Sequence, residues 1–139
     1  MNDFELTTLS EHHLEGALDL LDQLSDCPYK ISPEDSWELY VDDLTQMIVV
    51  AEYKGTVIGT GKIIIEQKLR GDCVAHIEDV VVEKKYRGLG IGRQIVDYLC
   101  ELAIDSDCSK VVLHCLEENV DFYKNCGFTQ ENGMRKDLV

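Results

Sequence analysis

Three glycines alternate between two arginines in the stretch Arg87-Gly88-Leu89-Gly90-Ile91-Gly92-Arg93. A glycine carries no Cβ, so a run of them exposes successive backbone N–H groups to whatever lies against it. An apolar-periodic helix begins at once behind the run, and the start of a helix carries partial positive charge. Backbone donors, a helix start and two guanidinium groups are the equipment for an anion, and a pyrophosphate is the size that fits. A plain flexible turn is the simpler reading, but three alternating glycines are more than a turn needs. A dinucleotide fingerprint requires G-x-G-x-x-G, and the sixth position is Arg93 counted from Gly88 and Ile95 counted from Gly90. A P-loop requires G-x-x-x-x-G-K-[ST], and the sequence contains no Gly-Lys-Ser or Gly-Lys-Thr.

Other residues offer further chemistry. Glu78 and Asp79 are adjacent acids in a β-type run, IEDVVV. Neighbours on a strand point to opposite faces, so the pair is expected to divide between one solvated acid and one structural acceptor. Cations gather at Lys68 and Arg70 in QKLRG, at Lys110, and at Arg135 and Lys136. A basic loop residue alone is usually only solvated. As a group, in so acidic a chain, they suggest an anionic ligand. His76 and His114 fall on expected strands and are capable bases, though a structural role is the simpler one. Tyr123 sits on a short helix, where an aromatic is ordinarily core. The six cysteines form no CxxC pair and no zinc spacing. They are expected to be reduced and to pack as small apolar side chains.

Elements able to hold these groups can be read from period and punctuation. Phe4–Thr8 alternates as a strand. Ser10–Leu24 carries leucines and Ala17 at helical spacing behind a Ser N-cap. Ser32-Pro33-Glu34-Asp35 starts a second helix that runs to about Asp43. Met47–Tyr53 and Thr56–Glu66 form a hairpin around Lys54-Gly55. Val74–Val82 is a strand, Gly90–Ser106 a helix, Lys110–Cys115 a strand, and Asn119–Asn125 a short helix stopped by Gly127. Phe128–Gln130 and Met134–Leu138 are expected to close the chain as a hairpin around Asn132-Gly133. The order β-α-α-β-β-β-α-β-α-β-β is an α/β (α+β) domain with a mixed sheet. At 139 residues the chain makes one domain with one core.

A net charge of −14 speaks against a nucleic-acid partner. No apolar run has the length of a membrane span, and MNDFELTTL lacks the basic-then-apolar build of a secretory signal. A cytoplasmic protein with no membrane partner is expected.

The R-x-x-G-x-G turn between strand and helix resembles the acetyl-CoA loop of the GNAT N-acetyltransferases, and the element order matches that fold over nearly the whole chain. Within the superfamily the chain resembles the glucosamine 6-phosphate N-acetyltransferases. The matching segments are ISPE (31–34), IIEQK (64–68), IEDVVV (77–82) and SKVVLHCLEENVDFYKNCGF (109–128).

The resemblance implies acetyl-CoA as co-substrate, with no metal, and a glucosamine 6-phosphate acceptor whose product feeds UDP-N-acetylglucosamine synthesis. It implies that Arg87 through Arg93 cradle the pyrophosphate and that Val80, Val81 and Val82 pair strand-like with the pantetheine arm. Asn119 and Lys124 would touch the coenzyme. The Tyr123 hydroxyl would face its sulfur, either hydrogen-bonding or protonating the departing thiolate. The amide near Val80 would polarise the thioester carbonyl. Glu78 and Asp79 would line the sugar site, and one of them would take the amine proton. Ser25, Lys68, Leu69, Arg70, Gly71, Ser109, Lys110, Glu131, Arg135 and Lys136 match further substrate contacts. A homodimer completing the phosphate site is implied as well. The loop LRGDC and the C-terminal ENGMRKDL depart from the usual pattern, and both touch the sugar in the family. Three readings therefore stay open beside this one: a GNAT enzyme for a polyamine or peptide amine, a noncatalytic acyl-CoA-binding sensor, and a phosphosugar-binding regulator that needs no coenzyme A.

Overall fold

A computed structural model of the protein describes residues 3–29 and 31–139. The chain runs β1 (Glu5–Thr8), α1 (Leu14–Leu21), α2 (Pro33–Asp42), β2 (Gln46–Tyr53), β3 (Thr56–Gln67), β4 (Cys73–Val82), α3 (Ile91–Asp105), β5 (Lys110–Val112) and α4 (Val120–Asn125). The strands form one sheet in the order β1-β2-β3-β4-β5. The first three pairings are antiparallel and the last, β4 with β5 across α3, is parallel.

Local chemistry accounts for the element ends. The Ser32 hydroxyl accepts from the Asp35 N–H at 3.1 Å, and Pro33 follows where a missing N–H costs nothing. Lys54 and Gly55 both take positive φ, 49° and 79°, the twist that a two-residue hairpin turn requires. The first expected helix begins less simply. Glu11–His13 make a 3-10 turn before α1, in which the Ser10 N–H donates to His13 Nδ1 at 3.0 Å.

α3 is the element that fixes the core. Ile91, Ile95, Val96 and Leu99 point one way along it and are fully buried against Val49, Ala51, Ile58, Ile63, Ala75 and Ile77 of the sheet. The helix comes down so closely that a Cβ at Gly61 would stand 2.9 Å from Ile95 Cγ2 and 3.0 Å from Leu99 Cδ1.

Two expectations fail. β5 ends at Val112 rather than Cys115, so its pairing with β4 stops at His76–Val112. The closing hairpin is absent: no strand follows α4 among the described residues, and every residue from Thr129 onward is exposed. Met134 and Leu138 are 91% and 85% exposed. A hairpin there would have no apolar surface of this chain to lie on, and a lone two-stranded ribbon is not stable in water. Among the described residues no helix is long and apolar enough to cross a membrane.

Candidate active site

The early end of β5 creates the site. Past His76 the two parallel strands part. β4 continues to Val82, while the chain after Val112 swings away to Leu116 and α4. The gap is a fork, with β4 as one tine and residues 114–126 as the other.

On one side of the fork is a cleft of about 600 Å³. Val80, Val81 and Val82 line it from β4, Arg87, Gly88, Gly90, Ile91, Gly92 and Arg93 from the glycine turn, and Asn119, Phe122 and Tyr123 from around α4. Gly88 and Gly90 stand at φ 80° and 85°, a left-handed conformation that side-chain-bearing residues rarely adopt. A Cβ added at either would meet nothing within 4 Å, so the turn is open. In α3 the first backbone bond is donated by Gln94 to Gly90 O, which leaves the N–H groups of Ile91, Gly92 and Arg93 without helical partners. The Arg87 guanidinium donates through Nε to Val82 O at 2.9 Å, tying the turn to the end of β4. Four of the thirteen Lys and Arg residues fall between positions 84 and 93, a local excess of positive charge in an acidic chain. Open glycines, free N–H groups and these cations fit a pyrophosphate.

Beside it lies a second pocket of about 180 Å³, lined by Leu24, Ile77, Glu78, Asp79, Val80, His114, Cys115, Leu116, Asn119 and Tyr123. Val80, Asn119 and Tyr123 line both spaces, so these three residues mark where the two meet.

Glu78 and Asp79 do not oppose each other as strand alternation predicts. Thr60 pairs with Val81 and Lys62 with Glu78, which leaves Gly61 facing two residues, Asp79 and Val80. This is a β-bulge, and Asp79 takes the left-handed φ of 57° within it. The bulge breaks the alternation, and both acids line the same pocket. Lys62 Nζ lies 3.8 Å from Asp79 Oδ2.

Tyr123 is half-buried between the rings of Phe122 and Phe128, each in an edge-on arrangement. Burial pushes its hydroxyl up to about 12, with smaller upward pushes from Cys115 and Cys126. The phenol therefore keeps its proton at neutral pH and has a hydrogen to donate.

The expected substrate residues divide. Lys68, Leu69, Arg70 and Gly71 form the turn between β3 and β4, Ser109 donates its N–H to Cys73 O just before β5, and Lys110 begins β5 beside Val74. All six sit toward the opposite end of β4 from the acids: Val74, the partner of Lys110, is about 13 Å from Glu78 at the usual strand rise, and the turn lies farther still. Lys68 is already paired with Glu66 at 3.0 Å, and His76 shares the same carboxylate at 2.9 Å. Together these contacts hold the Glu66 carboxyl below its usual range. Ser25 is exposed next to Leu24. Glu131, Arg135 and Lys136 are exposed in the C-terminal segment, where Arg135 pairs with Asp137 at 2.7 Å. Leu89 and Lys124 lie outside the lining of either pocket. Leu24, Tyr86, Phe122 and Cys126 line the site without having been expected there. Only the fork brings them together, and no spacing in the sequence announces it.

Among the described residues one group has metal-like geometry, His12, His13 and Glu52. His13 Nδ1 accepts from Ser10, so its ring proton sits on Nε2 and points to Glu52 at 3.0 Å. The nitrogen lone pair a metal needs is absent there.

Residues 15–128 match the model of the acetyltransferase (GNAT) family. The chain belongs to this family. It is 34% identical, over 98% of its length and 97% of the relative's, to the glucosamine 6-phosphate N-acetyltransferase of Trypanosoma brucei brucei. It is 39% identical to the Candida albicans enzyme of the same name, over 71% of each chain. Among solved structures, the glucosamine-6-phosphate N-acetyltransferase of Arabidopsis thaliana superposes with a TM-score of 0.88 at 28% identity, covering 99% of this chain and 100% of that one. A GNAT-fold protein from Clostridium acetobutylicum, 15% identical with a TM-score of 0.78 and covering 97% of this chain and 96% of its own, was solved with acetyl-CoA. The α/β fold expected from the sequence is thereby borne out.

Proposed function

We propose that this chain transfers the acetyl group of acetyl-CoA to the amine of glucosamine 6-phosphate, giving N-acetylglucosamine 6-phosphate. The observation that carries this reading is the junction of the two pockets, where an anion cradle meets an acid-lined space at Val80, Asn119 and Tyr123. It is joined by the names of the relatives matched across nearly the whole chain.

When bound, acetyl-CoA supplies an acyl group activated as a thioester. The protein does the rest by placement. Residues 87–93 hold the diphosphate, and the free edge of Val80–Val82 aligns the arm toward the junction. Glu78 and Asp79 attract the acceptor's ammonium group into the smaller pocket and fix its distance from the carbonyl, the largest contribution available to a two-substrate reaction. The Val80 amide supports negative charge developing on the carbonyl oxygen. Tyr123 donates a hydrogen bond to the departing sulfur. Its raised pKa keeps it from surrendering the proton outright to a thiolate whose conjugate acid ionises near ~8.5. Attack is direct, with both substrates bound at once, and no cysteine is acylated.

The basic residues at the far end of β4 enter this scheme through a second copy of the chain, whose Lys68–Gly71 turn and Lys110 reach the sugar phosphate. The product supplies UDP-N-acetylglucosamine synthesis. The whole chain acts as one GNAT domain, and its six free thiols support a cytoplasmic setting.

A second reading is favoured by one observation. The pocket beside the cradle presents two carboxylates and no lysine or arginine, which suits a cationic amine such as a polyamine. Thiol release from acetyl-CoA separates the two. Release with glucosamine 6-phosphate, and little with glucosamine or spermidine, is expected. Release with spermidine alone would replace the sugar phosphate by a polyamine. Coenzyme binding without release by any amine would make the protein a sensor.

A further inference from the structure

The reaction just described leaves one proton without a destination. The acceptor's ammonium gives up a first proton to solvent before it can attack, and the neutral amine must lose the remaining one as the N–C bond forms and the C–S bond breaks. The sequence points to Glu78 or Asp79, but Asp79 already faces Lys62 across 3.8 Å.

The four histidines differ in how they are used. His12 and His13 lie against Glu52, and His76 lies against Glu66. His114, among the described residues, has neither a hydrogen-bond partner nor an ion-pair partner. Its ring lines the smaller pocket with the two acids, one position before Cys115, on the tine of the fork that faces β4. It is also held from behind. A Cβ at Gly133 would stand 3.0 Å from His114 Nε2, 3.2 Å from Cδ2 and 3.4 Å from Cε1. The backbone at Gly133 therefore stands close behind the imidazole, and a side chain there would push the ring by a few tenths of an ångström.

We infer that His114 takes the proton from the acceptor amine. This inference rests on the acetyl-transfer reading. Imidazole is the side chain suited to accept and release a proton near neutrality, and general-base catalysis works best there. The titratable groups around the ring are Glu78 and Asp79 from β4, Cys115 beside it and Tyr123 from α4, with Lys62 reaching Asp79 from β3. From the C-terminal segment, Gly133 packs against the ring. The proton then leaves to solvent through the exposed side of the ring. The nitrogen's electron pair forms the amide bond, and the C–S pair departs with the sulfur toward Tyr123.

The test is His114→Gln, assayed by thiol release across pH with folding checked by thermal unfolding. The exposed position makes the variant tolerable. kcat is expected to fall about a hundredfold at neutral pH. The deficit should narrow as pH rises, because hydroxide then takes the proton in place of the ring, and added imidazole should restore part of the rate. Gly133→Ala, which pushes the ring without removing it, should lower kcat while leaving the acidic limb of the profile in place. A His114→Gln enzyme with unchanged kcat and an unchanged acidic limb overturns the proposal. So does one in which only the acceptor KM rises, since the ring is then merely a contact. If His114→Gln fails to fold, His114→Asn takes its place under the same criteria. Wild-type failure with glucosamine 6-phosphate, but turnover of another amine, would overturn the acceptor assignment alone, and the variants are then read with that amine. A wild type that releases thiol with no amine overturns both.

Discussion

Tyr123 shows how much a side chain's surroundings decide its task. In water a phenol is a modest acid, but here two aromatic neighbours and the half-buried position push it up to about 12. Desolvation disfavours the charged form, so the group is a hydrogen-bond donor throughout the range in which the protein works. Tyr123→Phe should lower turnover tenfold or more while leaving acetyl-CoA affinity within about twofold, which paired rate and calorimetric binding measurements would check. Ultraviolet titration gives an independent reading. The wild type should show one tyrosinate ionising near 12 that the variant lacks, and its loss at a lower pH would contradict the buried position. The sign for stability follows: folded-state Tyr123 holds its proton more tightly than the unfolded chain does, so its contribution is intact below about 10 and drains away as pH climbs toward about 12. Gly90 offers the complementary test. At φ 85°, Gly90→Val is strained whatever the space, and its side chain would stand in the open cradle. Coenzyme binding should be lost, and tight binding by that variant would remove the cradle from the phosphates.

Elements were far more legible in the sequence than their junctions. The Ser32-Pro33 start, the Lys54-Gly55 turn and the α3 stripe of Ile91, Ile95 and Leu99 all announce themselves, because capping, positive φ and helical period are local. The Asp79 bulge does not. Nothing in IEDVVV says that one residue of β3 will face two of β4, since that count is settled by both strands together. The length of β5 was equally hidden, because VVLHC is apolar enough to pair as far as Cys115 and only the departure toward α4 stops it. The site itself was half visible: the cradle is contiguous in sequence, whereas the acceptor pocket is assembled from Leu24, β4, His114 and α4. α3's close seat on β3 supplies a stability test. Gly61→Ala should cost on the order of 1–3 kcal/mol in chemical denaturation, because the new methyl meets Ile95 and Leu99. A neutral result would mean that α3 can slide.

For the whole molecule, the far-end cations make a prediction about copies. Arg70→Ala and Tyr123→Phe should each weaken turnover alone. Mixed and allowed to exchange, the two chains should recover activity toward about a quarter of wild type, since half the dimers then carry one undamaged site. No recovery would place Arg70 and Tyr123 in service of the same chain's site, or of different sites altogether. The parting of β4 from β5 bears on more than binding. From Ile77 to Val82 one side of β4 is a strand edge, and exposed edges are where chains add to one another and aggregate. Here the edge is recessed between the start of α3 and α4, and the left-handed Asp79 kinks it. A foreign strand, with side chains on both faces, is too broad to enter and finds no straight template. A single thin arm meets neither obstacle, so a recess open to such a ligand also protects the protein from its own kind.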